Sequence, residues 1–264
     1  MPRFQLLGRL LPLLLVCVPA TADVLDEILE RKTLRVGVAE FVPWTVRTES
    51  GKLIGFEIDV ANKIATDMGV TADFEVYEWD ELIGALEKGE IDVIAGGMAI
   101  TPERALRVNF SRPLARSGVG LATNTQLTQD VQTLEELNDP DIVIATVADT
   151  LAHNVSKTLF DRANVNVFPA AGSAEQEVVE GRAHAYLAGM PEARFLVLKN
   201  PGALDLPLNE PLLASSEALA VKKGEQQLLN FLDAWVTARQ TDKWLATSRE
   251  YWFGTLEWMT DVKN

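Results

Sequence analysis

From residue 34 onward, short apolar runs alternate with amphipathic segments along the chain. The runs LRVGV (34–38), ADFEVY (72–77) and IDVIA (91–95) have the length and β-branched content of strands. FEIDVANKIATDMG (56–69) places Val60, Ile64 and Met68 on one face, which predicts a helix that ends at Gly69. Because strands alternate with helices, the first half of the chain predicts parallel βαβ units.

The second half repeats this plan. Strand and helix patterns again alternate, in the segments DIVIATV (141–147), TLAHNVSKTLF (150–160), VNVF (165–168), SAEQEVVEG (173–181) and AHAYLA (183–188). The repetition predicts an α/β protein of two similar lobes. We expect SGVGLATN (117–124) and SSEALAVK (215–222) to be the two crossover strands and to form a hinge. Lobe 1 would then comprise residues 23–116 and 221–264, and lobe 2 residues 117–220.

The N-terminal residues form a separate segment. Arg3 and Arg9 precede an apolar run over residues 10–18, and Ala20-Thr21-Ala22 follows it. This order is typical of a secretory signal peptide, so we expect residues 1–22 to be cleaved after Ala22 and the protein to be periplasmic. A lipoprotein site normally has a small residue before its cysteine, whereas Val16 precedes Cys17.

Charge and cysteine content limit the possible partners. The net charge of −14 becomes −16 once Arg3 and Arg9 leave with the signal peptide, and such a surface repels nucleic acid and anionic lipid. The single cysteine leaves with the same segment, so we expect no disulfide in the mature chain. The two separated histidines predict no metal site, and we expect no cofactor and a monomer.

The stretch GGMAITPER (96–104) carries the clearest binding chemistry. Thr101 is a good helix N-cap and Pro102 a good first helical residue, so backbone N–H groups would point toward the preceding glycines. Arg104 adds a planar group that can hold a carboxylate with two hydrogen bonds. These features together fit an anion pocket, but an ordinary strand, turn and helix with a surface arginine fits the spacing equally well.

A longer pattern around this stretch resembles a known family. GFEIDVANKIATDMG and then WDELIGALEKGEIDVIAGGMAITPERALRVNFSRP are similar to the polar amino-acid family of periplasmic solute-binding proteins, densely over residues 34–113 and more loosely beyond. The resemblance implies a two-lobed clamshell, or Venus-flytrap, that closes on a small ligand with a carboxylate. It also implies delivery of that ligand to the membrane permease of an ABC transporter.

The resemblance also implies roles for particular residues. Arg104 would bind the ligand's α-carboxylate, and the backbone of Gly97 and Ala99 would form a ledge for its ammonium and carboxylate. Phe41 and Trp79 stand where family members stack aromatic rings on the ligand. We expect Trp44 to belong to the core rather than to the ligand wall.

Two departures from the family pattern concern the ligand's ammonium. Ala99 replaces a hydroxyl residue, and Gly189 stands where the family has the aspartate that pairs with the ammonium. Either another acid serves or the ligand has no α-ammonium, since an unpaired buried ammonium is costly. Asp149, with Thr150 beside it, is the best substitute, although Asp149 also fits a helix cap. Glu40 and Glu192 are further candidates.

Two other functions, those of an enzyme and of a ligand sensor, also fit this sequence. An exported enzyme on the same scaffold, similar to cyclohexadienyl dehydratases, would act on a carboxylate ligand without the amine site, and Glu192 would be its acid. A ligand sensor that docks on a membrane receptor would look the same in sequence. We find no Ser-His-Asp arrangement, GxGxxG motif or P-loop, so the binding protein is the leading hypothesis.

Overall fold

A computed structural model describes residues 23–262 of the protein. The expected signal peptide, with its cleavage after Ala22, therefore lies outside the described residues.

Strands and helices alternate along the chain as the pattern predicts. The strands are β1 (Thr33–Val38), β2 (Val46–Arg47), β3 (Leu53–Ile54), β4 (Thr71–Val76), β5 (Val93–Ile94), β6 (Val108–Phe110), β7 (Ala115–Asn124), β8 (Val143–Val147), β9 (Asn164–Phe168), β10 (Ala185–Gly189), β11 (Leu204–Asp205), β12 (Leu213–Glu217) and β13 (Ala220–Lys222). The helices are α1 (Val24–Arg31), α2 (Phe56–Met68), α3 (Leu82–Lys88), α4 (Pro102–Ala105), α5 (Leu151–Leu159), α6 (Ala171–Val179), α7 (Met190–Lys199), α8 (Gln226–Thr241), α9 (Trp244–Arg249) and α10 (Met259–Val262). Short 3-10 turns cover Trp79–Glu81 and Glu135–Leu137, and a π-helical turn covers Glu250–Gly254.

Two mixed sheets form the framework. The first has the strand order β4-β1-β5-β13-β6, with β4, β1 and β5 parallel and β13 antiparallel to both of its neighbours. The second has the order β11-β7-β10-β8-β9, with β10, β8 and β9 parallel, β7 antiparallel to β10, and β12 paired along the start of β7. Each sheet thus contains a parallel βαβ core, and the predicted α/β fold with two similar lobes is confirmed.

The chain passes between the sheets along two adjacent strands. β7 enters the second sheet and β12 leaves it, and the two pair antiparallel from Ala115 opposite Glu217 to Val119 opposite Leu213. After Glu217 the chain turns through Ala218 and Leu219 into β13 of the first sheet. The predicted crossover segment at residues 215–222 is therefore two strands with a break between them. We propose to divide the chain at these strands, with 23–116 and 221–264 in lobe 1 and 117–220 in lobe 2.

The C-terminal helices cover lobe 1 and reach across to lobe 2. α8 packs on α1, and α9 packs on α2. Beyond them, Trp258 is buried and stacks on Phe195 of α7, with ring centroids 5.2 Å apart. The C-terminal segment therefore contacts both lobes beside the hinge.

Candidate functional site

A cleft of about 570 Å³ lies between the two lobes. It contains seven of the eight residues that the sequence suggested for ligand binding. Its wall consists of Phe41, Trp44, Trp79, Gly96, Gly97, Ala99, Arg104, Ser117, Gly118, Val119, Val147, Thr150, Leu151, Ala152, Tyr186, Leu187, Ala188, Gly189, Glu192, Ser215 and Glu217.

Arg104 lies in the cleft because the helix start before it forms as predicted. The Thr101 hydroxyl caps α4 by accepting from the Arg104 backbone N–H at 3.2 Å, and Pro102 begins the helix. The guanidinium donates to the Ala99 carbonyl at 3.0 Å and to the Asp149 carbonyl, in lobe 2, at 2.9 Å. It also lies 5.3 Å from the centroid of the Trp79 ring. Burial lowers the pKa of Arg104, and a desolvated guanidinium gains most from a carboxylate partner.

The glycine ledge beside Arg104 is already hydrogen-bonded within the protein. Gly97 has a φ of 67°, and a β-carbon on it would approach Trp44 Cδ2 to 2.6 Å, so only glycine fits there. The Gly97 N–H donates to Glu57 Oε1 at 3.0 Å, while the Ala99 carbonyl accepts from Arg104. Gly97 and Ala99 thus line the cleft, and the Gly97 N–H and the Ala99 carbonyl are each already in a hydrogen bond within the protein.

Three aromatic side chains form the lobe 1 wall. Phe41 and Trp79 meet edge to face, with ring centroids 5.3 Å apart. The Trp79 indole N–H donates to the Asp149 carbonyl at 3.1 Å, so it contacts lobe 2 as well. Trp44 is only 2% exposed, as expected of a core residue, yet it also lines the cleft.

This chain has Gly189 in place of the family's aspartate, but an acid, Glu192, follows one helical turn later. Gly189 precedes α7, and a side chain there would overlap the carboxylate of Glu192. Glu192 Oε1 accepts from the Trp44 indole N–H at 3.0 Å, and Oε2 is buried without a partner. Burial raises the pKa of the Glu192 carboxyl to about 7, with Glu217 and Glu175 adding to the effect. Glu192, a secondary candidate from the sequence, therefore occupies the position beside Gly189.

A second buried acid in the cleft, Glu217, did not emerge from the sequence. It is 2% exposed, and its Oε1 accepts from the hydroxyls of Ser117 (3.1 Å) and Ser215. Its Oε2 is buried without a partner, and burial raises the pKa of Glu217. The signal available in the sequence was a single acid inside the predicted crossover segment SSEALAVK, directly before the apolar run ALAV.

Asp149 contributes its backbone rather than its carboxylate. It has a φ of 56° and is not among the lining residues of the cleft, whereas its carbonyl accepts from both Arg104 and Trp79. The cap of α5 is Thr150, whose hydroxyl accepts from the His153 N–H at 3.1 Å. The alternative interpretation of Asp149 as a helix cap is therefore wrong, and its pairing with a ligand ammonium has no support from its position.

The remaining candidates lie in ordinary structural contacts. Glu40 pairs with Arg47 at 2.6 Å, and both are exposed. His153 Nδ1 accepts from the Asp149 N–H, and His184 Nδ1 accepts from the Val143 N–H. Between residues 23 and 262, no group of three or more His, Cys, Asp or Glu side chains is placed to hold a metal ion. Within the same range, no helix has the length and apolar content that crossing a membrane requires.

Comparison with known proteins places these features in a family. The model of the bacterial extracellular solute-binding proteins, family 3, matches residues 34–255. The L-cystine-binding protein TcyJ of Escherichia coli (strain K12) is 26% identical over 239 residues, which are 89% of this chain and 88% of that protein.

Two solved structures have the same fold. One is the ancestral amino acid-binding protein AncCDT-1, a precursor of cyclohexadienyl dehydratase, with a TM-score of 0.81, 32% identity and coverage of 88% of this chain and 100% of that chain. The other is a putative binding component of an ABC transporter from Wolinella succinogenes DSM 1740 complexed with lysine, with a TM-score of 0.83, 30% identity and coverage of 87% and 99%. The chain belongs to family 3 of the bacterial extracellular solute-binding proteins.

Proposed function

We propose that the protein binds an amino acid between its two lobes, with the α-carboxylate on Arg104, and delivers it to the permease of an ABC transporter. The observation that carries the proposal is the position of Arg104, a half-buried cation in a cleft whose walls come from both lobes. Named relatives support the ligand class, since they include an L-cystine-binding protein and a binding component complexed with lysine.

Hydrogen bonds between the two lobes already cross the cleft, and a bound ligand would add to them. From lobe 1, Arg104 and Trp79 donate to the Asp149 carbonyl, and Trp44 donates to Glu192. These three hydrogen bonds hold the lobes together in the present conformation. A ligand that contacts Arg104 and the α7 side of the cleft at once adds to this closed state alone, and therefore shifts the open–closed equilibrium toward it. The permease would then bind the closed, liganded state in preference to the open one.

A thermal-shift screen of amino acids and the matching α-keto acids tests the proposal, because a ligand stabilises the folded state by RT ln(1 + [L]/Kd). We expect amino acids to stabilise the wild-type protein. The Arg104→Ala variant should lose about 3 kcal/mol of binding, roughly 150-fold in Kd, because a charge-assisted pair is removed. Arg107→Ala is the matched control, since Arg107 pairs with Glu87 on the surface of the same lobe. Wild-type affinity in Arg104→Ala would refute the assignment.

A second candidate function is catalysis on the same scaffold. We propose that the protein is not an enzyme, yet one observation is a reason to test it for catalytic activity. Burial raises the pKa of Glu192 to about 7, so this carboxyl can hold a proton in the cleft, as a general acid does. The similarity to a precursor of cyclohexadienyl dehydratase makes dehydration of a cyclohexadienyl substrate the reaction to test. Turnover of prephenate or arogenate by wild type, lost in Glu192→Gln, would establish the enzyme.

We also propose that the mature protein is a periplasmic monomer beginning at Asp23. Mass spectrometry of the protein from a periplasmic extract would give this N-terminus, and light scattering would give the oligomeric state.

Transport and sensing differ in the membrane partner. A binding assay that compares a purified permease with a membrane receptor domain distinguishes the two. We expect the permease to bind the liganded protein.

A further inference from the structure

Two buried carboxylate oxygens in the same cleft lack any hydrogen-bond partner. One is Oε2 of Glu192 on α7, and the other is Oε2 of Glu217 at the end of β12. Both side chains line the cleft, and the two residues are 9% and 2% exposed. A buried acceptor of this kind costs free energy unless a donor reaches it, so each oxygen marks a place where a ligand N–H group would be stabilised.

The charges that line the cleft do not balance. Arg104 is the basic residue among the lining residues, and Glu192 and Glu217 are the acidic ones. The proposed carboxylate of the ligand takes the charge of Arg104, which leaves two acids for the rest of the ligand. One ammonium would pair with one of them and leave the other carboxyl buried without a cationic partner, where its ionised form is disfavoured. A ligand with two cationic groups would pair with both.

Charged groups behind the cleft wall do not remove this excess. Glu57 and Glu175 add negative charge near Glu217 and Glu192, respectively. Lys199 faces Glu175, and Arg249 faces Glu217 from the C-terminal side. The Arg249 guanidinium attracts Glu217 through its charge, but it donates to the Arg116 carbonyl, does not line the cleft and makes no hydrogen bond to Glu217 Oε2.

We propose that the ligand is a basic amino acid, with one carboxylate and two cationic N–H groups, and that Glu192 and Glu217 together select it. This inference rests on the proposed function, because it takes Arg104 as the carboxylate site. The two acids must act jointly, since the second cation has no partner without the second carboxylate. The same arrangement disfavours quaternary ammonium compounds, which lack N–H donors for the two oxygens.

Proton release would accompany this selection. Burial raises the pKa of Glu192 to about 7, so part of the ligand-free protein holds a proton there at neutral pH. Burial also raises the pKa of Glu217. A bound cation favours the ionised form of a carboxyl, so binding expels the proton and affinity for a basic ligand rises with pH through about 7.

Isothermal titration calorimetry with two pairs of nearly isosteric ligands tests the inference. L-arginine is compared with L-citrulline, and L-lysine with L-norleucine, so that each pair differs by one positive charge. We expect wild type to bind at least one basic member 10-fold or more tighter than its neutral partner. Glu217→Gln should lose most of this preference while still binding the neutral member. Glu135→Gln, an exposed glutamate of lobe 2, is the matched control and should behave as wild type.

Each result bears on the inference. Equal or tighter wild-type binding of both neutral members would overturn it while leaving the proposed function standing, since amino acids still bind. A full preference retained in Glu217→Gln would overturn the role of that residue. The wild-type comparison needs no variant, so it decides the ligand class even if Glu217→Gln does not fold. If no amino acid binds wild type, the proposed function itself fails and the inference fails with it.

Discussion

At the scale of the residue, the absence of a side chain at position 189 determines where the Glu192 carboxylate lies. Gly189 leaves a space beside α7, and the Glu192 carboxylate lies in it, held by the Trp44 indole N–H. The order Gly-Met-Pro-Glu brings this about, because Gly189 is the N-cap of α7, Pro191 is the second helical residue and Glu192 follows in the first turn. The carboxylate therefore depends on the absence of a side chain at Gly189.

The dependence of Glu192 on Gly189 predicts a specific pair of variants. Gly189→Ala should destabilise the protein by about 1–3 kcal/mol, because a methyl group there overlaps the Glu192 carboxylate and displaces it from its hydrogen bond with the Trp44 indole N–H. Adding Glu192→Ala should recover part of that loss, because it removes the overlap but leaves the Trp44 indole N–H without its acceptor. Thermal or urea unfolding measures both effects.

Gly172 on α6 provides the control. No atom lies within 4 Å of the β-carbon position there, so Gly172→Ala should be neutral or stabilising by about 0.5–1 kcal/mol. A Gly189→Ala variant as stable as wild type would contradict the account of how Glu192 is positioned.

At the scale of the element, most of the fold and part of the site followed from the sequence. Alternating apolar runs predicted both parallel cores, and Thr101 and Pro102 predicted the start of α4, because these signals are local. After Trp79 the chain forms a 3-10 turn that contains Asp80, and α3 begins only at Leu82 with no side-chain cap, so a cap-type residue alone does not locate the start of that helix. The role of Glu217 depends on contacts with Ser117, 100 residues away, which local patterns do not contain.

The hydrogen bonds across the cleft predict a shift in lobe closure. Trp79→Phe removes the indole bond to the Asp149 carbonyl, worth about 1 kcal/mol, and should lower the closed-to-open ratio about fivefold. Energy transfer between dyes on Glu30→Cys in lobe 1 and Glu135→Cys in lobe 2, both exposed positions, measures the ratio in ligand-free protein.

Trp235→Phe serves as the control for that measurement. Its indole N–H donates to Asp67 at 2.8 Å within lobe 1, so the variant loses a similar bond without touching the cleft. Transfer efficiency should fall in Trp79→Phe and stay at the wild-type value in Trp235→Phe. Equal behaviour of the two variants would show that the Trp79 bond does not hold the lobes together.

At the scale of the whole molecule, the ligand-free protein carries buried acids that reduce its stability at neutral pH. Burial raises the pKa of Glu57 and of Glu192 to about 7. A carboxyl with a raised pKa in the folded state contributes stability that is fully present below its unfolded value of about 4.3, and this stability is lost as pH rises through about 7. Binding of a cationic ligand beside Glu192 would then recover part of the stability that this buried acid costs.

This pKa pattern predicts a pH-dependent melting temperature. Between pH 5.5 and pH 8 the ligand-free protein should lose on the order of 1–3 kcal/mol for each of the two carboxyls. The Glu57→Gln/Glu192→Gln double variant should show a much flatter dependence, because amides keep the acceptors for Gly97 and Trp44 without titrating. Scanning calorimetry across this pH range measures it. A double variant with the full wild-type slope would assign the pH dependence to other groups.

The most direct test of the central claim pairs a change in the protein with a change in the ligand. Calorimetry measures the Kd of the tightest-binding amino acid and of its carboxamide, for wild type and for Arg104→Ala. We expect wild type to bind the carboxamide about 100-fold more weakly or worse, and Arg104→Ala to bind both compounds weakly and equally, because the guanidinium then has no carboxylate to distinguish. Equal wild-type affinity for the acid and its carboxamide would contradict a carboxylate site at Arg104.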